Sequence, residues 1–208
     1  MLILVLVFLL ITRIEKKEFQ LAALGLNLQA NTLPFVVIGL ILGSVLFFGA
    51  AMFGVLIDTL HFPILPDFSQ WQILISFAAS LIFYVMNSFW QELLFRGYLQ
   101  TRTVDEYGRA IGISGVAVVF VVFHGLVQSL TPISILTGVL LFLFIGLLYD
   151  KTKSLYLVGA LHAVLNFLPV LFNTWWQGLE AATIYCIAFA LLVLLILSFE
   201  RRGHEDVI

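Results

Sequence analysis

Three short polar clusters interrupt the apolar sequence of this chain, and together they hold side chains suited to peptide hydrolysis. The first (FWQELLFRG) contains Gln91, Glu92 and Arg96, the second (FVVFHG) Phe120 and His124, and the third (LHAVLNF) His162 and Asn166. Hydrolysis needs a base for water, groups that move protons and a donor for the oxyanion. Covalent catalysis is less well supported, because Cys186 has no evident histidine partner and Ser88 has no clear activating role.

Each cluster also has a purely structural interpretation. Glu92 and Arg96 are four residues apart on a helix and could simply pair at the membrane edge. His124 could bond a neighbouring helix, and His162 with Asn166 could join two helices through interhelical hydrogen bonds. The joint occurrence of an acid, two histidines and an amide favours a functional site, because ionisable groups inside a membrane are costly and usually mark function.

The elements that must position these residues are expected to be transmembrane helices. The chain has 208 residues, of which 62% are hydrophobic and only 11% are charged, and its mean hydropathy is +1.12. A soluble domain carries roughly 25% charged residues. We therefore expect an integral membrane protein that has the lipid bilayer as a partner and does not bind nucleic acid.

Six apolar stretches are each about long enough to span a bilayer. They cover residues 33–60, 71–100, 110–129, 133–150, 155–173 and 179–199. A seventh, from Met1 to about Ile14, is short for a span. The pattern predicts an all-α, polytopic helical bundle of six to seven spans that forms a single domain over residues 1–208. The more polar segment 15–31 is predicted to add a short amphipathic helix in the cytoplasmic interface.

The basic residues predict the orientation of the bundle. All ten Lys and Arg residues fall on one side of a seven-span topology, which the positive-inside rule assigns to the cytoplasm. The C-terminus is then cytoplasmic, in a six-span topology as well. Glu92 lies near the cytoplasmic end of its span and His124 towards the outer side of the next. They can meet only if helices tilt or if the helix over 71–107 extends beyond the membrane, and a water-filled cavity open to the cytoplasm is expected.

The motifs QELLFRG, FVVFH and HAVLN resemble those of the CPBP intramembrane proteases, also called the CAAX protease and bacteriocin-processing (Abi) family. The pattern of that family is EExxxR, then FxxxH, then HxxxN or HxxxD, on successive helices. The residues that fit are Arg96, Phe120, His124, His162 and Asn166. The resemblance covers a core of about residues 70–173. It implies a multi-pass intramembrane endopeptidase of a bacterial or archaeal cell membrane, with a peptide or membrane-protein substrate.

The resemblance also implies a role for each site residue. In an active member of the family, an acid at the position of Gln91 would act with His124 to orient and deprotonate water. His162 and Asn166 would stabilise the tetrahedral oxyanion. Glu92 would be a supporting partner of the arginine or of a histidine.

Two other readings of the same residues stay open. His124, His162 and Glu92 form a reasonable catalytic zinc set with a free position for water, although no HExxH motif is present and no metal is firmly predicted. The polar residues could also line a proton or solute path. Transporters often show paired repeats with broken helices, and we find neither in the sequence.

Gln91 departs from the family pattern. It occupies the position of the acid that is held to activate water, and an amide cannot accept a proton at neutral pH. Glu92 cannot simply replace it, because neighbouring residues point about 100° apart on a helix. Three explanations remain: an engineered inactivating change, a pseudoprotease that acts by binding in immunity or as a chaperone, or chemistry by Glu92. We favour an endopeptidase site inactivated at position 91.

Overall fold

The computed structural model describes residues 2–28, 30–57, 68–172 and 187, and this part of the chain contains helices and no strand. The α-helices are α1 (Leu2–Leu9), α2 (Thr32–Leu56), α3 (Trp71–Glu92), α4 (Thr101–Tyr107), α5 (Arg109–His124), α6 (Pro132–Thr152) and α7 (Leu155–Leu171). The π-helical segments Leu10–Ile14 and Leu93–Gln100 continue α1 and α3, and Leu21–Leu24 forms a 3-10 turn. The predicted all-α membrane bundle is confirmed. The predicted span 179–199 lies outside the described residues except for residue 187.

Within these residues, three helices are long and apolar enough to cross a bilayer. They are Thr32–Leu56, Trp71–Tyr107 and Pro132–Thr152. The predicted spans 110–129 and 155–173 correspond to the shorter apolar helices α5 and α7, of 16 and 17 residues. Helix α5 ends at His124, five residues before the predicted boundary, and a turn at Gly125 follows it.

Helix α3, the π-helical segment and α4 form one continuous helix of 37 residues, Trp71–Tyr107. At a rise of about 1.5 Å per residue it is on the order of 50 Å long, whereas the hydrocarbon core is about 30 Å thick. The helix over 71–107 is therefore longer than a bilayer is thick. Such a length is one of the two conditions under which Glu92 and His124, predicted at different depths, can meet. The π-helical segment begins directly after Glu92, and such segments occur frequently at functional sites.

Small residues allow α7 to approach α2 and α3 closely. A Cβ atom added at Gly43 would lie 2.8 Å from the carbonyl oxygen of Leu161, and one at Gly39 would collide with that of Leu157. On the α3 side, the ring of Phe89 lies against Gly159, where a Cβ would come within 2.8 Å. Close backbone approach through small residues is the usual way in which membrane helices associate. It holds α7 firmly in the bundle.

Local capping defines where α6 and α7 begin. The Thr131 hydroxyl accepts a hydrogen bond from the Ser134 backbone N–H at 3.1 Å, and the Ser134 hydroxyl accepts one from the Thr131 N–H at 2.8 Å. Pro132 occupies the first turn, where its missing N–H has no cost. The Ser154 hydroxyl accepts from the Leu157 N–H at the start of α7. Of these caps, that of Ser154 defines the start of the helix that carries His162 and Asn166.

The interfacial helix predicted within 15–31 is shorter than expected. It consists of the 3-10 turn Leu21–Leu24, which ends at Gly25 in the left-handed conformation, with φ of 77°. The backbone of this segment is used for tertiary contacts instead of a longer helix. Leu24 is fully buried with its carbonyl against Gly97, and the Gly25 carbonyl accepts a hydrogen bond from the Leu155 N–H at 3.1 Å.

An ion pair fastens the start of this segment to α4. Arg102 donates through Nε and Nη2 to the two carboxylate oxygens of Glu15, each at 3.1 Å. The hydrogen bond from Arg102 lowers the pKa of Glu15 below its ordinary value of 4.5, against the opposing effect of burial. The folded protein therefore favours the charged carboxylate more than the unfolded chain does.

We predict that Glu15→Gln lowers the free energy of unfolding by about 1 kcal/mol near neutral pH, because the bidentate pair is lost. A carboxyl with a lowered folded pKa stabilises above its unfolded pKa and loses that effect as the pH falls through the folded pKa. The difference between the two proteins should therefore be lost as the pH falls below the ordinary value of 4.5 and through the lowered pKa of folded Glu15. Unfolding curves in detergent measure it. Glu106→Gln, which removes an exposed carboxylate from α4, the helix of Arg102, is the control. An equal effect from both variants would contradict the prediction.

Candidate active site

The centre of the site is a buried contact between α3 and α7. Glu92 Oε1 and His162 Nδ1 are 2.7 Å apart, and the two residues are 0% and 2% exposed. An ionised carboxylate only accepts hydrogen bonds, so with Glu92 in its charged form the Nδ1–H of His162 is the donor in this contact. This bond fixes the orientation of the imidazole and leaves its Nε2 for other partners.

Arg96 balances the charge of Glu92. Its Nε lies 3.5 Å from Glu92 Oε2 as an ion pair without hydrogen-bond geometry, and its Nη2 donates to the carbonyl oxygen of Phe142 at 3.2 Å. The guanidinium carbon is 5.3 Å from the ring centroid of Phe120 and 5.5 Å from that of Phe142, a cation–π arrangement. A fully buried arginine needs such compensation, because an unpaired buried charge is strongly destabilising.

His124 joins the site through the aromatic side chains. Its Nδ1 donates to the Phe120 carbonyl at 3.0 Å, and its ring stacks on that of Phe120 with centroids 4.5 Å apart. The ring of His162 lies 5.8 Å from the same phenyl ring, and both histidines also contact Phe142. The two imidazoles therefore share one aromatic wall. Phe120, the first residue of the FxxxH motif, is what joins them.

Asn166 is held by a residue to which the sequence assigned no role. Its Nδ2 donates to the Ser88 hydroxyl at 3.1 Å, and Ser88 is fully buried. Ser88 lies one turn before Glu92 on α3, and Asn166 lies one turn after His162 on α7. The i, i+4 spacing on both helices was the only sequence signal that could have suggested this pair.

Gln91 lies beside the pair but takes no part in its hydrogen bonds. It is 6% exposed, and its side-chain oxygen has no hydrogen-bond partner among the described residues. Three more buried atoms at the site have no hydrogen-bond partner among the described residues: Glu92 Oε2, Arg96 Nε and Arg96 Nη1. Buried polar atoms are almost always hydrogen-bonded to protein or water, so these atoms are exceptions within the described part of the chain.

A zinc site does not fit this arrangement. Within the described residues, no three His, Cys, Asp or Glu side chains are grouped so as to hold a metal ion. Glu92 already neutralises the buried guanidinium of Arg96, and its other oxygen accepts from His162. A divalent cation at Glu92 would compete with both of these partners and would lie beside the positive charge of Arg96.

The part of the sequence that holds these residues matches a known protein family. The model of the family described as Rce1-like, type II CAAX prenyl endopeptidases, matches residues 73–168. All three polar clusters fall inside the matched range. No curated protein and no solved structure gives a significant match. The family match confirms the resemblance to the CPBP proteases.

We predict that Glu92→Ala lowers the free energy of unfolding by about 3–5 kcal/mol, because it leaves Arg96 buried without a counter-charge. The double variant Glu92→Ala with Arg96→Met should be more stable than Glu92→Ala alone, since no unpaired charge remains. Denaturant unfolding in mixed micelles gives both values. If the two substitutions destabilise additively, the charges do not compensate each other.

Proposed function

Because residues 73–168 match the Rce1-like CAAX endopeptidases, we propose that this protein is an intramembrane endopeptidase that binds a peptide at the Glu92–His162 site. We propose further that Gln91 makes its cleavage slow. The observation that carries the proposal is the buried 2.7 Å contact of Glu92 with His162, beside His124 and Asn166. Helices α3, α5 and α7 contribute these groups, which include the types of side chain that water-activated hydrolysis uses.

In this proposal, His162 and Asn166 stabilise the oxyanion that forms when water adds to the peptide carbonyl. The Nδ1 proton of His162 is already committed to Glu92. The ring can donate a second hydrogen bond through Nε2 only as an imidazolium, in which both nitrogens carry protons. The adjacent carboxylate stabilises that cation, as the aspartate of a catalytic triad does for its histidine. Glu92 thus acts through His162.

The engagement of Glu92 argues against its being the base. One of its oxygens accepts from His162, and the other faces the guanidinium of Arg96. Both oxygens of the carboxylate are thus directed at His162 and Arg96 instead of at a water molecule. The position that would supply the base holds Gln91, whose amide cannot take one. His124, which lies against the same aromatic wall, is the group that would assist an acid at that position.

A pseudoprotease is the second candidate function. Gln91 favours it, because this substitution removes the base while the donors and orienting groups remain. Such a protein would bind a peptide and retain it without cleavage, in an immunity or chaperone-like role. Prenylated CAAX peptides, leader peptides and membrane-protein segments are the substrate classes we consider for both functions.

We predict that Gln91→Glu increases peptide cleavage by about 10²–10⁴-fold, the usual contribution of a positioned general base. The nearly isosteric change should leave peptide binding largely unaltered. The assay follows hydrolysis of a quenched-fluorescent prenylated CAAX peptide in liposomes, with the unprenylated peptide alongside.

Two further variants make this assay specific. Gln72→Glu adds the same charge at an exposed position near the start of α3 and should not change the rate. His124→Ala in the Gln91→Glu background should abolish the gain. Equal rates for the chain and Gln91→Glu would mean that position 91 is not the base. Binding without cleavage by either protein would favour the pseudoprotease.

We also propose that the α4 end of the long helix is cytoplasmic, as the basic residues indicate. Single cysteines at Glu106 and at Gln128, both exposed, are placed in a chain in which Cys186 is replaced by alanine. A membrane-impermeant thiol reagent added to intact cells should label position 128 and leave position 106 unlabelled. The reverse pattern would invert the orientation.

A further inference from the structure

Helices α3 and α7 are joined by two polar contacts spaced one turn apart. Ser88 pairs with Asn166, and Glu92 pairs with His162. The residue numbers rise on α3 and fall on α7, so the helices are antiparallel where they meet. Each residue that α7 contributes to the site is therefore held by one residue of α3. The family motifs include Glu92 but not the position of Ser88.

The amide of Asn166 needs such a partner to have a defined orientation. Rotation about the last side-chain bond of asparagine is broad and has no sharp minima. Its amide group is planar and carries two N–H donors. When one N–H donates to the Ser88 hydroxyl, the direction of the other is determined by that plane.

Ser88 itself is poorly placed to act as a nucleophile. A serine nucleophile needs a base within hydrogen-bond distance. The described partner of its hydroxyl is the Asn166 Nδ2, which is a donor and cannot remove a proton. The nearest acid on its own helix face, Glu92, is bonded to His162. The contact orients Asn166 and does not activate Ser88.

We propose that Ser88 is a positioning residue that sets the plane of the Asn166 amide, so that its second N–H is presented to the carbonyl oxygen of the peptide under attack. The inference rests on the proposed function for what the N–H binds. The orientation of the amide can be tested without any activity.

The first experiment observes the amide directly. The full-length chain with ¹⁵N-labelled asparagine is studied by NMR in detergent micelles, and Asn166→Ala identifies the side-chain signals of Asn166. Ser88→Ala should move these signals towards those of an unbonded, exchanging amide. Ser88→Thr, which keeps the hydroxyl, should leave them near their original shifts, and so should Ser114→Ala, a serine of α5 bonded to its own helix. Unchanged Asn166 signals in Ser88→Ala would overturn the proposal.

The second experiment measures catalysis in the Gln91→Glu background with the prenylated CAAX peptide. Loss of one oxyanion donor typically costs about 10²–10³-fold in kcat, so a donor that is present but not oriented should cost roughly 10-fold. Ser88→Ala should lower kcat by this factor with little change in KM, and Ser88→Thr should recover most of it. In a protein that already carries Asn166→Ala, adding Ser88→Ala should not lower kcat further, because both substitutions act through the same amide.

These outcomes separate the two proposals. Cleavage by Gln91→Glu that Ser88→Ala does not slow would refute the positioning role and leave the proposed function standing. Full loss of activity in Ser88→Ala that Asn166→Ala does not mask would also refute it, since Ser88 would then act independently. Absence of cleavage in every protein would refute the proposed function, and the amide spectra would still decide whether Ser88 orients Asn166.

Discussion

The arrangement of this bundle depends on one buried charge interaction, that of Glu92 with Arg96 and His162. A carboxylate and a guanidinium that are both fully buried must neutralise each other, because water cannot solvate them there. Two hydrogen bonds add to this ion pair. His162 donates to one carboxylate oxygen, and the Phe142 carbonyl accepts from the arginine. The pair therefore links α3 and its π-helical continuation to both α6 and α7.

Close helix packing makes these polar contacts geometrically precise. The glycines of α2 and Gly159 of α7 let neighbouring groups approach α7 at van der Waals distance, so that this helix cannot shift without collisions. The aromatic rings of Phe120 and Phe142 complete the site by contacting both histidines and the guanidinium. A rigid, largely apolar surround of this kind strengthens electrostatic interactions within it. The same surround is what a hydrolytic site and a peptide-binding pseudoprotease would both require.

Hydropathy predicted the helical class, and ionisable residues within apolar stretches predicted the candidate site residues. Apolar stretches of about 20 residues can only be satisfied by helices in a bilayer. Ionisable residues within such stretches are costly, so the clusters around Glu92, His124 and His162 drew attention as functional candidates. The regular i, i+4 spacing of Phe120 with His124, and of His162 with Asn166, placed each pair on one helix face. Their roles in catalysis remain a proposal.

The sequence alone determined that the chain is a helical membrane protein with three polar clusters, because hydropathy and helical spacing are local properties. Only the tertiary structure decided which groups meet. Ser88 and Asn166 are 78 residues apart, and neither carries a local signal that names the other. The helix predicted within 15–31 is likewise limited to one turn, where Leu24 and Gly25 contact the π-helical segment and α7. Such pairings follow from how helices pack, which residue spacing along one helix cannot specify.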